Sequence, residues 1–167
     1  MKIGILCEGG LQSEDQQVLK ALAQRIVPGA QVEIHPQGNK PELIANCAST
    51  TQALLDSGCC RVLIVWDVQP RWGRPDGAIQ DSKDIRQKLG PHGLANHPCV
   101  FLVPIKAELE AWLLADGRAL SQVLSRPEHR VRIHNTSNVE SQANPKKRLE
   151  NIFQRYGKPY VPTTHAS

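Results

Sequence analysis

Arg61-Val62-Leu63-Ile64-Val65-Trp66-Asp67 holds five apolar residues between a cation and an acid. Its shortness and its valine and isoleucine content predict a buried strand rather than a helix. Ser57-Gly58 ends the element before it, and the strand stops at the acid. A second run of this kind, Lys2-Ile3-Gly4-Ile5-Leu6-Cys7, is followed by Glu8 and then by Gly9-Gly10. Two such strands belong to a parallel sheet. Glu8 and Asp67 then stand at its carboxyl edge, where the loops of open α/β sheets leave a crevice for ligands.

The segments between and beyond these runs alternate in period. Val18, Leu19, Leu22, Ala23 and Ile26 share one helical face, with Ser13 as N-cap and Gln16 three residues on. Pro28-Gly29 stops that helix, and residues 31–35 alternate as a short strand. A helix follows from Pro41 to about Asp56, and another is predicted near 81–89, beyond a polar segment at 69–78. Residues 98–103 form a further apolar strand, 108–124 is helical with an acidic start, and 144–156 looks helical again. Strands separated by helices imply right-handed crossovers. The expected fold is α/β: a small doubly wound, mainly parallel four-stranded sheet with flanking helices. The whole of 1–167 reads as one domain, with 125–167 a polar, partly helical extension.

Composition narrows the functional classes. Hydrophobic residues at 40% and charged residues at 22% are ordinary for a globular chain. No apolar run approaches the roughly 20 residues that span a bilayer, and no leader pattern precedes the first strand. A cytoplasmic protein without membrane contact is therefore expected. The five cysteines lack metal-ligand spacing and read as reduced thiols. The histidines have no partners at zinc spacing. A net charge of +4 permits contact with a polyanion.

The chemistry concentrates in the acids. Gly9 and Gly10 let the backbone turn and approach a ligand, but the third glycine of a dinucleotide fingerprint is absent, and no Walker lysine follows. An acid in this place repels phosphate unless a cation intervenes, so a divalent metal is the natural companion of Glu8 and Asp67. The alternative for Glu8 is a cap on the next turn. Glu108 and Glu110 fall in a helix's first turn, where the macrodipole favours them for structural reasons alone. Asp116, before Gly117, ends one helix or caps another. Serine or cysteine hydrolase chemistry lacks its motifs: there is no G-x-S-x-G elbow, and Cys7 has no assigned base.

Cys7-Glu8-Gly9-Gly10, the run ending in Asp67, and Glu110-Ala111-Trp112-Leu113-Leu114-Ala115-Asp116 resemble a Toprim-like family of uncharacterised bacterial proteins. Toprim is the topoisomerase–primase fold, shared with overcoming-lysogenization-defect nucleases and small ribosomal-RNA maturases. Asn144-Pro145-Lys146-Lys147-Arg148-Leu149 and the stretch from Tyr156 through Thr163-Thr164-His165-Ala166 resemble its carboxyl-terminal motifs. The resemblance implies acid–base or metal-binding work for Glu8. It makes Asp67 the first acid of an Asp-x-Asp that holds Mg2+ (or Mn2+). Gln69 stands where the second acid would be, so either Glu110 or Asp116 supplies the missing carboxylate or the metal is held weakly. A bacterial defence or mobile-element setting is implied as well.

Arg71 and Arg74 in the polar loop, with Lys146, Lys147 and Arg148, are the candidate groups for a nucleic-acid backbone, beside Gly9 and Gly10 at the turn. Solvated charge is the alternative for each. Trp72 either stacks on a base or pins its loop against Pro70 and Pro75, while Trp112 belongs to the core. The expected function is a metal-dependent nuclease. Alternatives are a catalytically weak module that binds nucleic acid or protein beside a separately encoded ATPase, and a small-nucleotide hydrolase or transferase.

Overall fold

Strands β1 (Lys2–Cys7), β2 (Gln31–Pro36), β3 (Arg61–Asp67) and β4 (Val100–Ile105) form an all-parallel sheet in the order β2-β1-β3-β4. The structure, a computed structural model, describes residues 1–10, 14–69, 77–106 and 108–161. Helices α1 (Glu14–Ile26), α2 (Lys40–Asp56) and α3 (Gly77–Leu89) are the crossovers. Right-handed connection places α1 on one face and α2 and α3 on the other. Leu6, Val62, Ile64 and Trp66 turn toward α2 and α3 and pack with Leu43, Cys47, Leu54, Ile85 and Leu89. Ile3, Ile5 and Cys7, one residue out of phase, are buried too. That is why the strands read as unbroken apolar runs. Gly4 brings α2 close: a Cβ there would lie 2.9 Å from a Leu54 methyl.

Local chemistry sets the ends of these elements. Helix α2 starts on a capping box. The Asn39 side chain accepts from the Glu42 N–H at 3.0 Å, and Glu42 accepts from the Asn39 N–H at 3.2 Å. Strand β4 begins two residues later than expected. Pro98 has no N–H for a ladder, and the chain closes a turn there, the Val100 N–H donating to the His97 carbonyl at 3.0 Å. Helix α3 begins at Gly77, ahead of the expected 81. The expected cap Ser13 lies outside the described residues.

Contacts divide the chain into two compact units, Met1–Ile105 and Lys106–Ala166. In the second, α4 (Leu109–Ala115), α5 (Gly117–Leu124) and α6 (Pro145–Arg155) enclose a core of Leu114, Leu120, Leu124, Val131, Leu149 and Phe153. Residues 125–161 thus pack with α4 and α5. The helical stretch over 108–124 divides at Asp116, the residue expected to end one helix or cap another. Asp116 leaves helical geometry (φ −102°, ψ 77°) and its carboxylate accepts the Ala119 N–H at 2.9 Å, capping α5. Trp112, expected in the core, is half-buried, and its indole N–H donates to Glu140 at 2.7 Å.

All five cysteines are free: Cys7, Cys47 and Cys59 are buried, Cys99 is half-buried and Cys60 is exposed. Burial pushes the Cys47 thiol up from its ordinary value, so it stays neutral at pH 8. Iodoacetamide at that pH is expected to label Cys60 well before Cys47, as read by mass spectrometry of timed digests. Equal labelling of the two in the native protein would contradict the packing of α2 on the sheet.

Candidate functional site

The strand order places a topological switch point between β1 and β3. The chain leaves β1 toward β2 on one side, then crosses back to β3 and continues outward to β4. At such a point the loops diverge and leave a crevice at the carboxyl ends. Glu8 directly follows β1, and Asp67 ends β3. Cys7 lies beside Val65 in the ladder, so the two acids rise from neighbouring strands at almost the same height.

A direct bond joins them. The Asp67 backbone N–H donates to Glu8 Oε1 at 3.1 Å. Glu8 thus reaches across to the end of β3. Both residues are half-buried, and both make further polar interactions. The turn under Glu8 is pinned. The Gln37 N–H donates to the Cys7 carbonyl at 2.9 Å, and Gly9 and Gly38 exchange backbone hydrogen bonds. Gly9 has φ +100°, a conformation open to glycine and strained for other residues. Gly10 carries no such demand, since a Cβ there meets nothing within 4 Å.

Beneath this edge lies a buried ion pair that the strand-and-helix pattern did not predict. Lys40 at the start of α2 is 6% exposed, and Asp81 in α3 is 2% exposed. The Lys40 Nζ lies 3.2 Å from Asp81 Oδ2 and donates to the Val68 carbonyl at 3.4 Å. A signal existed in the spacing. Lys40 shares a helical stripe with Leu43 and Cys47, and Asp81 shares one with Ile85 and Leu89. The pair also lines a cavity of about 370 Å3 between α2 and α3, with Pro41, Ile44 and Lys88.

In the second unit the remaining described candidates have partners within that unit. Glu110 lies 3.9 Å from the Lys146 ammonium, and Glu108 accepts the Lys146 backbone N–H at 3.2 Å, satisfying a donor at the start of α6. Asp116 caps α5. Lys147 pairs with Glu150 at 3.2 Å, and Arg148 donates to the Gln142 side chain. Arg71, Arg74, Trp72 and His165 lie outside the described residues. Among the described residues, no group of three or more His, Cys, Asp or Glu is placed to hold a metal. The charge is unevenly divided: Lys and Arg match Asp and Glu at ten each over 1–105, but outnumber them ten to six over 106–166.

Glu8 and Asp67 supply hard oxygen donors. A magnesium ion is commonly held by one or two carboxylates together with water and substrate phosphates, so this donor set fits it. Among the described residues, no helix is long and apolar enough to cross a membrane. Fold and edge together define an α/β protein of the Rossmann-like, doubly wound kind with two acidic residues, Glu8 and Asp67, at its switch point. Compared with protein-family models, curated proteins and solved structures, the chain matches none.

Proposed function

We propose that the chain is a Toprim-like, metal-dependent phosphodiester enzyme, a nuclease of bacterial defence or mobile-element context. The observation that carries this reading is the Asp67 N–H to Glu8 Oε1 bond of 3.1 Å at the switch point. It ties two acids from separate strands into one edge, where the fold places ligands. Glu8 and Asp67 would hold Mg2+ or Mn2+, which when bound supplies Lewis acidity toward a phosphate oxygen. The half-buried setting limits solvent screening of the two carboxylates. The excess of basic residues over 106–166 suits a nucleic-acid backbone.

The expected result is cleavage of DNA or RNA that requires millimolar Mg2+ or Mn2+ and stops on addition of EDTA. Calorimetry of the same preparation should show Mn2+ binding that Glu8→Ala removes. Cleavage that persists at full rate in EDTA would refute the metal-dependent reading.

A second reading comes from Gln69, whose amide stands where another acid would strengthen a metal site. In it the chain is a catalytically weak module that binds nucleic acid or protein and works with a separately encoded ATPase. Absence of Mn2+ binding at millimolar metal, with nucleic-acid binding retained, selects this alternative.

A further inference from the structure

We infer that Lys40 is a positioning residue for the carboxylate pair, acting through the Val68 carbonyl and held in place by Asp81. The inference rests on the proposed role of Glu8 and Asp67, and its geometry lies in the two residues that leave β3. The Asp67 N–H donates to Glu8 at 3.1 Å, the Val68 N–H to the Ile105 carbonyl at 2.8 Å, and the Val68 carbonyl accepts from Lys40 at 3.4 Å. Three elements therefore grip residues 67–68: the end of β1, the end of β4 and the start of α2. Lys40 supplies the grip from the face of the sheet that α2 covers.

Stability alone gives a weak reason for such a pair. Removing two charges from water is costly, and a buried pair is often replaceable by apolar residues of similar size without loss of stability. An aliphatic side chain at position 40 would continue the stripe of Leu43 and Cys47. What an aliphatic side chain lacks is the donor to Val68. That donor fixes the plane of the peptide between Val68 and Gln69, one residue past the Asp67 carboxylate. Groups that orient a metal ligand from behind are worth about 10- to 100-fold in metal affinity.

The test compares Lys40→Met, Asp81→Leu and the double variant Lys40→Met/Asp81→Leu in the full chain. The readouts are thermal unfolding, Mn2+ affinity by electron paramagnetic resonance, and amide hydrogen exchange at Asp67 and Val68. Each single substitution is expected to lower the unfolding temperature, because it strips a buried charge of its counter-ion. The double variant should recover that temperature. It should still bind Mn2+ about tenfold more weakly than the parent, with Asp67 and Val68 exchanging about tenfold faster, the scale of one hydrogen bond to a charged group.

Recovery of amide protection together with the unfolding temperature would reduce the pair to a packing element and overturn the inference. Amide exchange reports on positioning whether or not metal binds. A parent protein that ignores Mn2+ therefore counts against the proposed nuclease, while Asp67 and Val68 still decide the role of Lys40.

Discussion

Glu8→Gln and Asp67→Asn are each expected to lower metal-dependent cleavage about a thousandfold, since each removes a charge from the proposed centre and several kcal/mol of transition-state stabilisation with it. The substitutions keep shape. Glutamine at position 8 retains an oxygen that can accept the Asp67 N–H, so the bond joining β1 to the end of β3 survives. Asparagine at position 67 leaves that backbone donor untouched. Both variants should unfold within about 2 °C of the parent, as substitutions that remove no packing usually do. The measurement is the initial rate on the preferred polynucleotide at saturating Mn2+, beside a melting curve. Parent-level cleavage by a Glu8→Gln/Asp67→Asn protein would remove these acids from the chemistry.

Gly117→Ala is expected to destabilise the second unit by about 3 kcal/mol, the upper end of the range for forcing extra volume into a packed site. A Cβ at this position would stand 2.5 Å from the His134 carbonyl carbon, 2.6 Å from the Ile133 oxygen and 2.7 Å from the Asn135 nitrogen. These are backbone atoms, so no rotamer change relieves the contact. The segment they belong to is tied down on both sides. The Gly117 N–H donates to Asn135 Oδ1 at 3.0 Å, the Ile133 N–H to Ser121 Oγ at 2.8 Å, and the Thr136 N–H to the Leu114 carbonyl at 3.1 Å. Displacing it weakens several of these bonds at once. For a chain of this length the unfolding temperature should fall by about 6–12 °C. Gly10→Ala is the control, because its Cβ enters open space. A Gly117→Ala protein that melts with the parent would show that 133–135 does not lie against α5.

The amino-terminal strands were legible because burial on both faces leaves nothing but apolar residues between the terminal charges. Residues 2–7 and 61–66 carry that signature, and β1 and β3 match them to within a residue. Helix α2 was legible through Pro41, and its capping box at Asn39 and Glu42 agrees with that start. Segment 108–124 was legible in part. Its apolar spacing continues across Asp116, but the carboxylate there caps the second of two helices, and Gly117 accepts the backbone of a segment sixteen residues further on. Periodicity does not register a contact of that kind.

The sequence by itself determined that two acids follow two buried strands, since a strand's end is marked locally by where apolar residues give way to polar ones. It did not determine that those strands are neighbours. That depends on the order β2-β1-β3-β4, which arises when crossover helices bury their stripes on opposite faces of the sheet. Only then does Glu8 meet the Asp67 amide. The tertiary structure also decided the fate of the charges. It sank Lys40 and Asp81 on apolar helical stripes, where each offsets the other's loss of water. Charge placement is a long-range property, because a charged side chain can be buried only where a partner from elsewhere in the chain arrives to meet it.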